Sequence, residues 1–335
     1  MTMYMMKTIK TIAATTVMAM TLASCSSDDN NILLPQQRLV PIQFSANPAV
    51  EVQTRAVNDD LVSARKIAQE GGFGVFAYYH DNATYSSSSV LNFMYNQQVT
   101  GTDATSPVWT YTPVKYWPNE TVSSYYEPGT SATNSNVDKL SFFAYAPYFN
   151  TPSGNNITGF APDGTTGDPW VTYESPTASS TADSAPGVDL LYAKSLDKYN
   201  QIDVINQKVK FDFKHALASL SYELKGNPSN LNFTKIEVIG WKSNGLRIGG
   251  KLNLNDGTWS DINEQKSKNT VLFRKSANSL PLTGGKWKVI PGDNQEFFVR
   301  IFYEDANGNE KILPEVPFKL DFKAGKEQVV EITIP

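Results

Sequence analysis

The sequence predicts an all-β protein built as two similar β-sandwiches in tandem. Three observations carry that reading. Short runs alternate apolar with polar residues at period two, the pattern of a strand with one buried face. Clusters of Gly, Pro, Asn, Asp and Ser interrupt those runs at short intervals, as turns between sandwich strands do. Aromatic residues make up 12% of the chain, with 16 Tyr, 17 Phe and 6 Trp, while charged residues reach only 19%, a balance that favours strands over exposed helices. At 335 residues the chain has room for two domains.

Residues 1–25 read as a targeting segment outside the fold. Lys7 and Lys10 form a basic start, and residues 12–20 form an apolar core too short to span a membrane. The run ends Thr21-Leu22-Ala23-Ser24-Cys25, which resembles the lipobox of bacterial lipoproteins. Cys25 is the single cysteine of the chain, so it forms no intramolecular disulfide and is assigned as the lipidated residue. A covalent lipid there is the only non-protein group expected, and several acyl chains give lasting attachment to a membrane. Residues 26–37 form a polar tether, and the Asp28-Asp29 pair resembles the surface-export signal of Bacteroidetes lipoproteins.

The first strand follows. In 39–46, Val40, Ile42, Phe44 and Ala46 point one way, and Leu39, Pro41, Gln43 and Ser45 point the other. A break marked by Asn47 and Pro48 leads to Thr54-Arg55-Ala56, where a basic residue precedes a small one in a stretch with few apolar residues. A short helix is expected over 58–69, with Asp59 or Asp60 as cap and Leu61, Ala64 and Ala68 on one face, ended by Gly71-Gly72. Strands are expected at 74–79, 93–99 and 108–111. The run 113–118 has proline at both ends and belongs at an edge or a strand terminus. Residues 140–146 are apolar on both faces and mark a central strand. A short strand is expected at 170–173, and 189–193 is the last strand before the middle of the chain.

The polar stretch 195–206 is expected to separate an N-terminal sandwich, 38–202, from a C-terminal one, 203–335. In the second half Val209, Phe211 and Phe213 alternate with Lys208, Lys210, Asp212 and Lys214. Ala218, Leu220, Tyr222 and Leu224 alternate with Ser219, Ser221 and Glu223, and 233–239 continues the pattern. Gly249-Gly250 and Asp256-Gly257 mark turns. Further strands are expected at 297–303, at 318–322 and, after Ala324-Gly325-Lys326, at 330–334.

Catalytic and metal-binding chemistry is poorly represented. The two histidines, His80 and His215, are far apart in sequence; His80 is expected in an exposed turn and His215 at a strand bend. No Cys/His grouping has zinc-ligand spacing, and the glycine-rich turns do not follow a strand-to-helix phosphate pattern. The net charge of -4 gives no basic face for a nucleic acid. An enzyme is not expected. Trp109, Tyr111, Trp117, Tyr125 and Tyr126 are candidates for an exposed aromatic platform that binds glycans, although the strand positions of Trp109 and Trp117 also suit a core.

Taken in order along the chain, several stretches resemble the fimbrillin family of Bacteroidetes, the lipoprotein precursors of type V pili. They are the lipobox, the first strand with Thr54-Arg55-Ala56, Gly74-Val75-Phe76-Ala77-Tyr78, Lys115-Tyr116-Trp117-Pro118 and Ser141-Phe142-Phe143-Ala144-Tyr145-Ala146-Pro147. Asp189-Leu190-Leu191-Tyr192-Ala193, Phe213-Lys214-His215-Ala216-Leu217-Ala218, Gly257-Thr258-Trp259, Val289-Ile290-Pro291-Gly292 and Gly325-Lys326 continue the series. The resemblance implies two tandem transthyretin-like Greek-key sandwiches. It also implies a surface-exposed outer-membrane lipoprotein that an arginine-specific protease cuts between Arg55 and Ala56. Loss of the strand carrying Val40, Ile42 and Phe44 then opens a groove for a strand from another pilin subunit, and the product joins a fimbrium that engages host or bacterial surfaces. The family's stalk subunits carry C-terminal donor material, whereas here 329–335 directly follows the Gly325-Lys326 turn. Either that last strand is the donor or the subunit has a tip, anchor or accessory role, the tip or accessory role being favoured. The alternative from another class is a non-polymerising surface lipoprotein that binds glycans through Trp109, Trp117 and Tyr125; a non-polymerising surface scaffold is a third.

Overall fold

The alternating runs form strands, and those strands pair across the expected domain boundary. The computed structural model describes residues 40–48, 63–118, 138–150, 156–178, 182–199, 207–226, 231–240, 244–265, 271–276 and 283–334. Along the first part run β1 (Gln43–Pro48), α1 (Ala64–Gln69), β2 (Phe73–His80), β3 (Met94–Gly101), β4 (Trp109–Thr110), β5 (Lys139–Ala146), β6 (Ile157–Phe160), β7 (Trp170–Glu174) and β8 (Leu191–Lys198). Then come β9 (Lys208–His215), β10 (Ala218–Gly226), β11 (Asn232–Gly240), β12 (Arg247–Asn253), β13 (Trp259–Glu264) and β14 (Val271–Ser276). The last are β15 (Thr283–Val289), β16 (Gly292–Glu304), β17 (Glu310–Ile312), β18 (Val316–Phe322) and β19 (Glu327–Ile334). Residues 39–335 form one compact unit.

Four sheets result. The largest has the order β1-β9-β8-β5-β2-β3-β4. One face of it holds a core of Ile42, Phe44, Phe73, Phe142, Phe211, Phe213 and their neighbours. Its other face meets the sheet β13-β12-β7-β6 through Phe76, Phe143, Tyr145, Tyr173 and Leu252. β5 is therefore buried on both sides, as its apolar run requires. The third and fourth sheets, β15-β10-β19 and β14-β11-β16-β17 with β18 added on β16, enclose the remaining core around Tyr222, Ile236, Trp287, Phe297 and Ile332.

The division at 202/203 does not hold in the sheets. β9 lies in the first sheet, and β12 pairs with β7, Leu252 opposite Val171. The physical reason is that β12 completes the cover over the outer face of β2 and β5, which the strands before residue 203 leave too narrow. The halves interleave instead of following one another.

Three local expectations also change. α1 starts at Ala64, and Ser63 caps it by accepting the Lys66 amide; its buried residue is Ile67, not Ala64 or Ala68. Asp59, Asp60 and Leu61 lie outside the described residues. His80 is not in an exposed turn. It ends β2 with 6% of its surface exposed, stacked over Tyr78, because the loop carrying Tyr85 folds across it. Burial lowers its pKa, against the opposing pull of Asp197. Ser219 and Ser221 do not form a wet face of β10: both are buried, Ser219 accepting from Lys288 Nζ and Ser221 donating to Glu327.

Candidate functional site

The first strand is held by two different partners in succession. At its start the Ile42 amide donates to the Lys115 carbonyl at 2.9 Å, and the Trp117 amide donates to the Val40 carbonyl at 2.9 Å. Pro41 and Tyr116 face each other in that antiparallel bridge. From Gln43 on, the strand runs parallel to β9, with Gln43 opposite Lys208, Phe44 opposite Val209, Ala46 opposite Phe211 and Pro48 opposite Phe213. Pro41 and Pro48 lack the amide hydrogens an interior strand would need, which suits a place at the edge of the sheet. The chain beyond β4 thus returns to β1, so the two ends of the seven-stranded order are brought together.

Alternation decides what β1 buries. Ile42, Phe44 and Ala46 are almost fully buried and Val40 is half-buried against the same core, while Gln43 and Ser45 are only partly covered. Phe44 occupies a box of four rings: Tyr111 at 5.3 Å, Phe142 and Phe211 each at 5.7 Å, and Phe73 at 6.3 Å between centroids. Such pairs add to the transfer energy of the ring, which by itself is about 1.5–3 kcal/mol for a large side chain. Tyr111 also fixes the strand's entry. Its hydroxyl oxygen lies 3.0 Å from the Ile42 carbonyl and 3.2 Å from that of Lys115, and accepts the Lys115 amide. Burial pushes the Tyr111 hydroxyl above its ordinary range, which keeps it a neutral donor.

β9 depends on this strand. Its ladder to β8 consists of Leu191–His215 and Tyr192–Lys214 only. For residues 208–213 the backbone partner among the described residues is β1. Taking β1 away would uncover Phe211 and leave the ladder of β9 residues 208–213 open.

Of the residues singled out from the sequence, Cys25, Arg55, Ala56, Tyr125 and Tyr126 lie outside the described residues. The structure brings Val40, Ile42 and Phe44 together on one wall of the core. It does not assemble the aromatic platform. Trp117 is 2% exposed, edge-on to Phe142 at 6.0 Å, and Trp109 packs on Phe73 at 4.9 Å. Trp117 is part of the core and Trp109 is half-buried against it, because the β4 side of the sheet curls over β1. Tyr111 is half-buried against Phe44 and not a surface ring. The large apolar side chains left to solvent in this region are Val108, Val114 and Tyr116. Phe73, Phe142 and Phe211 as walls of one groove were not visible in the sequence; the signal is an aromatic at an inward position of each of three strands, but nothing local says that those strands converge.

Away from the groove, His215 anchors a buried polar cluster. Its Nδ1 lies 3.0 Å from Asp189 Oδ2, and Lys288 Nζ lies 3.5 Å from Asp189 Oδ1 and donates to Ser219 Oγ at 3.1 Å. The cluster ties the end of β9 to β10 and β15, at the seam between the first sheet and the last core. It has the geometry of a structural tie, which agrees with the expected role of His215 at a strand bend. Among the described residues no group of His, Cys, Asp and Glu is arranged to hold a metal ion, and no helix is long and apolar enough to cross a membrane.

A family model described as fimbrillin-like matches residues 134–335. The chain belongs to the fimbrillin-like family. Fimbrium subunit Fim1C of Phocaeicola vulgatus is 28% identical over 260 residues, which cover 74% of this chain and 61% of that relative. The match thus spans less than two thirds of the relative's length. Among solved structures, a fimbrial protein from Bacteroides vulgatus ATCC 8482 superposes with a TM-score of 0.56 at 18% identity, covering 88% of this chain and 95% of the other. A candidate cell adhesion protein from Bacteroides ovatus ATCC 8483 superposes with a TM-score of 0.51 at 17% identity, covering 89% and 93%. At such identities the likeness concerns the fold: this fimbrillin-like chain shares an all-β arrangement of several sheets with fimbrial proteins.

Proposed function

We propose that this chain is a structural subunit of a cell-surface fimbria, assembled by strand exchange at the place now held by β1. The observation that carries the reading is the position of that strand. Among the described residues it is the first strand, lies at a sheet edge, runs parallel to a strand with little other backbone support, and buries one large ring in an aromatic box. A strand in that position can be removed without unthreading any other element, and the groove it leaves offers both a ladder and pockets to an incoming strand. In this reading the precursor is held at the outer membrane by lipid on Cys25, and an arginine-specific protease cuts after Arg55. The released subunit then accepts a strand from its neighbour, in a tip or accessory position, and adhesion to host or bacterial surfaces follows from its place in the fimbria.

The test is limited proteolysis of the protein from Ser26 onward with an arginine-specific protease. The stable product should begin at Ala56, and Arg55→Ala should abolish it. An undigested chain at high protease, or a product beginning elsewhere, would overturn processing at Arg55.

A further inference from the structure

We infer that the groove is built to select a donor with an aromatic residue followed two positions later by a small one, a pattern that β19 of a second copy does not supply. The inference rests on the strand-exchange reading above. Its basis is the way size alternates across the β1–β9 pair. Large Phe44 stands beside Val209, and small Ala46 stands beside large Phe211. The Phe44 and Phe211 rings stack at 5.7 Å with an interplanar angle of 17°, so the two large residues are neighbours along the diagonal and fill the width of the groove together. Ala46 is only 4% exposed, in register with Phe211. A branched side chain at that position meets a core already filled, and overpacking of this kind disfavours a guest strand. A branched aliphatic at the Phe44 position loses the contacts to all four rings.

The chain's own terminal strand does not carry this pattern. β19 is, like β1, an outermost strand paired in parallel, here with β10, and it points Val330, Ile332 and Ile334 inward at the same two-residue spacing. Placing Val330 at the Phe44 position sets Ile332 against Phe211. Placing Ile332 there sets Ile334 against Phe211. Placing Val330 at the Ala46 position sets polar Gln328 among the rings. Each placement that fills both positions fails at one or both of them, so β19 of a second copy is a poor guest.

The experiment uses the protein from Ser26 onward with a site for a sequence-specific viral protease placed between Val50 and Arg55, so that release of β1 does not depend on Arg55. After cutting, labelled peptides are allowed to exchange into the groove and their binding is followed by fluorescence anisotropy. The probes are the segment 39–49, the same segment with Phe44→Ile, the same with Ala46→Ile, and the segment 327–335. The native segment should bind, each swap should weaken binding by about tenfold or more, and segment 327–335 should not compete at the same concentration. The cut protein alone should also stay monomeric in sedimentation. Equal binding of the native and swapped segments, or chain growth of the cut protein by itself, would overturn the inference while leaving strand exchange intact. Failure of the native segment to bind at all would sink strand exchange itself, and the inference with it.

Discussion

Phe44→Ala in the intact chain is the most direct probe of the groove. The ring is 3% exposed and touches four aromatic neighbours from four separate parts of the chain, namely Phe73, Tyr111, Phe142 and Phe211. Truncating a core Phe to Ala costs about 3–5 kcal/mol, made up of lost transfer energy and the cavity left behind. The upper half of that range applies here, because the walls stand on β2, β5 and β9 and on the segment after β4, and these cannot all move inward together. With a urea slope of roughly 3 kcal/mol/M, the unfolding midpoint should fall by more than about 1 M. Ser45→Ala on the same strand, whose side chain is only partly covered, should change stability by no more than about 0.5 kcal/mol. The assay is equilibrium urea unfolding of both variants beside the parent. If Phe44→Ala costs less than about 1 kcal/mol, or no more than Ser45→Ala, then β1 is not part of the core and the groove argument falls.

Other consequences follow from particular contacts. Gly257 sits at φ +78° in the Asp256-Gly257 turn, and a Cβ there would lie 2.1 Å from the Tyr192 hydroxyl, so Gly257→Ala should lower the thermal midpoint measured by circular dichroism, with a loss of about 1–3 kcal/mol. Burial keeps His80 neutral in the fold and lowers its pKa, whereas the unfolded chain protonates it near its ordinary value of 6.5. Stability should therefore decline as the pH falls through that value, and His80→Gln should remove part of the decline in urea titrations at successive pH values. Asp189→Ala would leave Lys288 and His215 buried without their carboxylate and should cost about 3–5 kcal/mol. By contrast, Asp103→Ala, which removes the exposed pair with Arg65, should cost less than about 1 kcal/mol by the same unfolding assay.

The parts of the fold legible in the sequence are those set by a single strand's surroundings. The alternation of Val209, Phe211 and Phe213 against lysines gave the inward face of β9, and the doubly apolar run of β5 gave its central place. Pairing was not legible, since a strand's partner depends on which distant surface still lacks cover. Nothing in 247–253 states that Leu252 will sit beside Val171, because the deciding fact is the open outer face of β2 and β5. The same limit applied to the candidate site. Ile42 and Phe44 could be read as inward residues from period two alone, and the strand positions of Trp109 and Trp117 favoured a core over the aromatic platform, but which strands would cover them could not be read. Their burial follows from the curl that brings the β4 side back over Val40, and that closure is a property of the whole sheet.

The closure also distinguishes the two terminal strands, although each lies parallel to one of two consecutive strands joined through Ala216-Leu217. β10 is flanked on both sides, by β15 along 218–223 and by β19 along 219–226. Over 208–213 β9 has β1 alone among the described residues. A chain cut between β1 and α1 and freed of β1 should therefore lose amide protection in 208–213 while 218–223 stays slow to exchange, because β15 still holds it. Hydrogen exchange read by mass spectrometry before and after release of β1 compares the two segments in one sample. A uniform loss across both would mean that β1 supports the whole molecule and cannot be replaced without unfolding it. No loss in 208–213 would mean that another segment already holds β9. Only the selective loss leaves a folded body with one open ladder and one open aromatic box, which is the state an incoming strand requires.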